Sequence, residues 1–144
     1  GSYREIPIYV IGSEVKRPSY EEVSKKMKLL IEWYNKNKQT LHPVELTATL
    51  HVWFEYIHPF IDGSGRVGRE LLNLILLKNN FPYVIINLKN RNKYYSVLEN
   101  LQTNGFKDYY LFTTFIYERL IERSKIIEKE IDENIDVLYK QIKK

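Results

Sequence analysis

The chain of 144 residues has no cysteine. That excludes disulfides, thiolate metal sites and cysteine nucleophiles, and it fits a reducing compartment, so a cytoplasmic protein is expected. No apolar run approaches the ~18 residues needed to span a bilayer, and no signal peptide is visible, so no membrane partner is expected. Internal repeats and low-complexity tracts are missing. So is the Gly-Lys-Ser/Thr of a Walker A loop. A strong excess of one charge is missing too: 22 basic residues against 18 acidic leave +4. That balance favours phosphate-bearing ligands, but the lysines are scattered, which argues against a nucleic-acid stripe.

What is present suits one folded domain. The length fits a single core, and 44% apolar with 28% charged residues is a globular composition rather than that of a disordered tail. Gly1-Ser2 reads as an expression scar, leaving residues 3–144 as the domain and an expectation that the natural protein continues upstream of Tyr3. Ile6–Ile11 is β-branched and aromatic and ends at Gly12-Ser13, so a strand is predicted. Pro7 places it at an edge, with Glu14–Lys16 as the return of a small hairpin. Ser19-Tyr-Glu-Glu22 is a capping box that starts a helix carrying Val23, Met27, Leu30, Ile31 and Tyr34. A second helix opens at His42-Pro43, buries Leu46, Leu50, Trp53, Phe54 and Ile57, and ends before Pro59. A third begins near Ser64; Leu71–Leu77 is apolar nearly all round, which predicts a central helix. Further helices are expected over Lys93–Gln102 and from Asp108 onward. Residues 122–144 form a final helix with Ile127, Ile131, Ile135 and Leu138 on one face, free to dock back, to pair in a homodimer or to lead to a further domain. The fold class is an all-α bundle with a small β-hairpin.

The chemistry concentrates in His58-Pro-Phe-Ile-Asp-Gly-Ser-Gly-Arg-Val-Gly-Arg69. Gly63 and Gly65 flank Ser64 and permit a turn whose amides converge on an anion at a helix N-terminus. Arg66 and Arg69 follow three residues apart, on the same side of that helix, and guanidiniums bind phosphate oxygens bidentately. Asp62 supplies the single hard carboxylate that a phosphate-bound Mg²⁺ needs. His58, with an ordinary pKa near ~6.5, suits a general base toward an incoming hydroxyl, a role worth about 10²–10⁴ in rate. Phe60 anchors the loop. His42 reads as a helix-start residue; His51, two helical turns before His58, reads as a core histidine or a hydrogen-bonder beneath the loop. Together these are the parts that hold a nucleoside triphosphate and aim a hydroxyl at it.

This stretch closely resembles the Fic-domain signature, His-Pro-Phe-x-Asp/Glu-Gly-Asn-Gly-Arg-x-x-Arg, with Ser64 in place of Asn. The similarity extends to Leu41–Leu46, Tyr56–Phe60, Tyr94–Leu98 and the Asn104-Gly105 turn, and Ile6–Ser13 resembles the family's β-hairpin flap. The resemblance implies transfer of AMP from ATP to a Ser, Thr or Tyr hydroxyl of a protein, with release of pyrophosphate. On that basis His58 is the base and Asp62 holds Mg²⁺. The Gly63–Gly65 amides stabilise the α-phosphate, and Arg66 and Arg69 bind the outer phosphates. Tyr95 stacks on adenine, Gln102 stands where relatives carry an Asn near the ribose or adenine, and Ile8, Tyr9, Val10 and Ile11 dock the target by strand addition. Ser64 offers one donor hydrogen on a shorter arm than Asn, so slower transfer, by ~10²–10³, is expected. Removal of AMP, another phosphotransfer, or nucleotide binding alone are the alternatives. Relatives often carry an inhibitory helix, Ser/Thr-x-x-x-Glu-Gly/Asn; Ser124–Glu128 matches its first five positions, and Lys129 breaks the sixth. An inhibitory helix upstream or a separate antitoxin-like partner is therefore expected.

Overall fold

The computed structural model describes residues 1–143. It consists of five helices: α1 Tyr20–Asn37, α2 Pro43–Ile57, α3 Ser64–Lys78, α4 Leu88–Thr103 and α5 Tyr110–Ile142. The capping box forms as predicted, with Glu22 Oε2 accepting the Ser19 N–H at 2.9 Å. Pro43 occupies the first turn of α2, and His42 Nδ1 accepts the Val44 N–H at 3.3 Å.

The central element is α2, which touches all four other helices. Its sequence explains why: it carries two apolar stripes. Leu46, Leu50, Phe54 and Ile57 face Val23, Met27 and Leu30 of α1, while Val44, Ala48 and Val52 face α4 and α5 through Tyr94, Leu101 and Phe112. The expectation that α3 is central is therefore corrected. Its face away from α2 meets no other helix, and Leu74 and Leu77 are each 53% exposed.

Two helix ends illustrate local control. Asn80 takes a left-handed φ of 63° after α3, and the Phe81 and Asn80 N–H groups bond back to Leu76 and Leu77 at 3.0 and 3.1 Å, a Schellman stop ahead of Pro82. The Asn73 side chain then holds Val84 by both its N–H and its carbonyl, at 2.8 and 3.0 Å, keeping residues 81–87 extended. Asn87 caps Lys89 and Asn90, so α4 starts at Leu88, five residues before the predicted start. Beyond Leu120, α5 leaves the bundle: Ile131, Ile135 and Leu138 are exposed.

The hairpin is the second correction. Among the described residues there is no strand. Ile6 is a bend, residues 7–10 form no regular element, and the chain turns at Val10–Ser13, with Gly12 at φ 79° and the Ser13 N–H bonded to the Val10 carbonyl at 3.1 Å. The return arm is drawn elsewhere. Glu14 N–H bonds Glu99, Val15 N–H bonds Ser13 Oγ, and Arg17 reaches the end of α2. Pro7 contributes no ladder donor either.

The approach to this segment is set by Arg4, only 3% exposed. Its backbone N–H bonds the Pro59 carbonyl at 2.8 Å. Its guanidinium donates to the carbonyls of His58 (2.9 Å), Ile6 (3.2 Å), Pro18 (2.7 Å) and Ile57 (3.4 Å). Arg4→Met keeps the bulk and removes every side-chain donor, stranding buried carbonyls at the end of α2. A loss of about 3–5 kcal/mol in urea unfolding is expected; a loss below ~1 kcal/mol would show that water replaces the guanidinium.

Candidate active site

α2 ends at His58, which has left-handed dihedrals (φ 49°, ψ 66°) and donates its N–H to Phe54 O at 2.9 Å. A non-glycine residue in that region, followed by a proline, is strained and has to be held by its surroundings. Arg4 supplies that hold through the His58 carbonyl. The chain then turns through Gly63 (φ 85°), the N-cap of α3. As at any helix start, the amides of Ser64, Gly65 and Arg66 lack intrahelical acceptors and carry the positive end of the dipole.

These parts border a cavity of about 350 Å³. Of the residues proposed from sequence, His58, Gly65, Arg69, Tyr95, Gln102, Val10 and Ile11 line it. Along the flap, Ile8 and Val10 are half-buried while Tyr9 and Ile11 are 94% and 102% exposed, so exposure alternates from one residue to the next. Gln102 donates its Nε2 to the buried Val52 carbonyl at 3.0 Å. Arg91 lies over the Tyr95 ring at 5.5 Å and lines the same cavity.

Two expectations change. Arg66 and Arg69 diverge instead of pointing the same way: Arg66 folds back onto Asp62 at 2.9 Å, on the exposed rim, while Arg69 turns into the cavity. The Ser64 hydroxyl is buried beneath the loop, accepting the Phe60 N–H at 2.9 Å and donating to the Phe60 carbonyl at 3.2 Å, so it staples the loop and does not reach into the cavity. Ser124–Glu128 lies on the part of α5 beyond the bundle, beside Pro82, and does not line the cavity.

Beneath the site runs a polar line along α2. His51 is fully buried; its Nδ1 lies 2.9 Å from the Gly68 carbonyl, so Nδ1 carries the proton. Nε2 then accepts the Tyr94 hydroxyl, at 2.9 Å. Burial pushes His51 down to about 4, so it stays neutral and ties α2, α3 and α4 together. One turn on is Glu55, 5% exposed, with Oε1 unpaired. A Cβ on Gly68 would stand 2.1 Å from that oxygen, so Gly68 is the gap that the carboxyl fills. Burial raises Glu55 to about 7, opposed by Arg69 and Arg17. His58 is pushed down to about 4 by burial, and the Arg17 and Arg4 guanidiniums push the same way against the Glu55 carbonyl. Its Nδ1 is shut from solvent, which leaves Nε2 open. Glu55, Arg4, Arg17, Arg91 and Glu99 were missed from the sequence. Only Glu55 left a signal there: a carboxylate on an apolar helix, in register with His51 and His58.

A sequence model of the Fic/DOC family matches residues 1–76. The protein adenylyltransferase Fic of Nematostella vectensis is 36% identical over 123 residues, 85% of this chain and 28% of that protein. The protein of the same name from Drosophila melanogaster is 30% identical over 139 residues, 96% of this chain and again 28% of that protein. The chain thus spans little more than a quarter of these curated relatives. Among solved structures, a Fic domain-containing signaling protein from Bacteroides thetaiotaomicron superimposes with a TM-score of 0.76 at 31% identity, over 84% of this chain and 52% of that one. Fic-1 from C. elegans gives 0.78 at 28% identity, over 92% and 38%.

The perturbed groups make a pH prediction. Glu55, raised when folded, contributes stability below about pH 4.5 that is lost as pH rises through about 7. His51 and His58, lowered when folded, contribute stability above about pH 6.5 that is lost as pH falls through about 4. Two histidines outweigh one carboxyl between about pH 4 and 6.5, so stability should climb across that window to a maximum near about pH 6.5, decline slightly to about pH 7 and level off above it. In Glu55→Gln the decline should vanish, with a gain of up to roughly 3 kcal/mol at about pH 8 relative to the parent. Chemical denaturation across pH tests this, and an unchanged profile in Glu55→Gln would show that the carboxyl is already ionised in the folded protein.

Proposed function

The chain belongs to the Fic/DOC family, and from that premise we propose that it transfers AMP from ATP to a Ser, Thr or Tyr hydroxyl of a protein, releasing pyrophosphate. One observation carries the reading: His58 and Arg69 border a single cavity, together with Gly65 of the amide-bearing turn at the start of α3.

In this reading the α-phosphate rests on the amides at the α3 N-terminus, which have no intrahelical acceptors and would need little rearrangement as charge develops. The outer phosphates meet Arg69 inside the cavity, and exposed Arg66 reaches them by leaving Asp62. Adenine lies toward Tyr95 and Gln102. The target hydroxyl gives its proton to His58 Nε2 while its oxygen bonds the α-phosphorus. The bond from that phosphorus to the bridging oxygen breaks, and pyrophosphate leaves with the electron pair. His58 is neutral before reaction, so it accepts a proton directly, and the negative triphosphate beside it raises its affinity for one. The Ile8–Ile11 segment, with Tyr9 and Ile11 facing out, offers main-chain groups to a target strand.

Asp62 fits a Mg²⁺ ion that arrives with the triphosphate. It is an exposed hard oxygen donor whose present partner is Arg66. No group of three ligating side chains occurs among the described residues, which suits an ion carried mainly by phosphates and water. When bound, the ion would neutralise phosphate charge. The inward Ser64 hydroxyl supports a working site as well, since the loop geometry is kept by its two bonds to Phe60.

Incubation with α-labelled ATP and Mg²⁺, with protein targets from a lysate, tests the reading. His58→Ala should lower transfer by at least ~10²-fold, because the base acts only on the incoming hydroxyl. The Kd for ATP should stay close to the parent's. Equal transfer by both proteins would remove His58 from the chemistry, and ATP binding with no transfer by the parent would reduce the site to a nucleotide-binding module.

Arg69→Ala should weaken ATP binding by about 10–100-fold, the loss of a charge-assisted contact, with little change for AMP. Calorimetry with the two nucleotides separates these, and matched losses would place Arg69 away from the outer phosphates.

A further inference from the structure

One wall of the cavity has almost nothing to hold it. Val10, Ile11, Gly12 and Ser13 form that wall, facing Tyr95, Leu98 and Gln102 of α4. No strand ladder fixes these residues among the described chain, and Ile11 has no packing at all. Beyond the partial burial of Val10, the turn is hydrogen-bonded to the bundle through one carboxylate. Glu99 Oε1 accepts the Glu14 N–H at 2.6 Å and the Ser13 hydroxyl at 3.3 Å. Ser13 Oγ in turn accepts the Val15 N–H at 3.3 Å, so the turn closes on itself around the same point. The glycine that makes the turn possible, at φ 79°, also leaves it without side-chain contacts of its own.

We propose that Glu99 is a positioning residue for the nucleotide: its carboxylate latches the Val10–Ser13 turn onto α4 and so sets the width of the cavity at the end away from Arg69. This rests on the reading of the cavity as a nucleotide site. The latch couples the two substrates. The residues that would offer main-chain groups to a target strand run directly into the latched turn, so a released turn loosens both the nucleotide wall and the docking edge. The bonds join a half-buried side chain to a largely exposed loop, outside both clusters of the core, so breaking them leaves the bundle intact.

The test uses the whole chain. Glu99→Ala should cleave faster with trypsin after the exposed Lys16, and its Kd for ATP should rise about fivefold to tenfold, the loss of one or two hydrogen bonds. In the transfer assay KM for ATP should rise with kcat little changed at saturation. Glu99→Gln keeps an acceptor oxygen for the Glu14 N–H and should return both cleavage and affinity most of the way to the parent. Melting temperatures of both variants should match the parent closely, which separates the latch from a general loss of stability. Unchanged trypsin cleavage in Glu99→Ala overturns the latch, whether or not the chain binds ATP. Faster cleavage with unchanged ATP affinity in a chain that binds ATP overturns the positioning role. A parent that binds no ATP overturns the nucleotide reading and the positioning role with it, while the cleavage rates still report on the turn.

Discussion

The guanidinium of Arg4 is the interaction on which the site depends. A helix that stops at a histidine in the left-handed region, with a proline next, leaves carbonyls that no backbone donor can reach. Arg4 collects those of Ile57 and His58 together with those of Pro18 and Ile6, from three separate stretches of chain. A buried cation is tolerable only where such acceptors converge. The same contact therefore ends α2, fixes the entry to α1, and begins the segment that becomes the cavity wall.

Given that anchor, α2 serves as a spine with a polar seam. Two apolar stripes bury it on both sides, which shuts its polar residues Thr47, His51 and Glu55 away from water. His51 is satisfied through Gly68 and Tyr94. Glu55 Oε1 has no hydrogen-bond partner, and its carboxyl sits against a glycine that leaves room for it, under the charge of Arg69 and Arg17. The seam leads straight to His58, so the proposed general base is mounted at the end of the most constrained helix of the fold. Such mounting suits chemistry that depends mainly on alignment.

Electrostatics follow the same layout. Arg17, Arg69 and Arg91 all border the cavity, with Glu55 and Glu99 as the acidic counterweights. Burial and the cationic surroundings keep His58 unprotonated, and in the proposed reaction an arriving triphosphate would offset them. The modest net charge of the whole chain conveys none of this, because the asymmetry is local.

Much of the fold was legible in the residues alone. Caps and breakers are local physics, so Ser19 with Glu22, Pro43, Pro59 and the Gly63 turn placed the ends of α1 to α3 directly. The signature from His58 to Arg69 pointed to the family, since few residue sets combine a histidine, a carboxylate, a glycine turn and two guanidiniums in twelve positions. The hairpin failed because strand propensity at Ile6–Ile11 says nothing about a pairing partner, and the return arm found other acceptors. Which helix is central, which way Arg66 turns, and where the Ser64 hydroxyl points were also decided only by packing. Arg4, Glu55 and Glu99 are ordinary charged residues in the linear chain; each acquires its role from carbonyls, glycines and amides that are distant in sequence and adjacent only after folding. The sequence by itself determined the reactive groups and the helix boundaries around them. Tertiary structure decided which of those groups share a cavity, because burial and long-range hydrogen bonds depend on neighbours that no local pattern records.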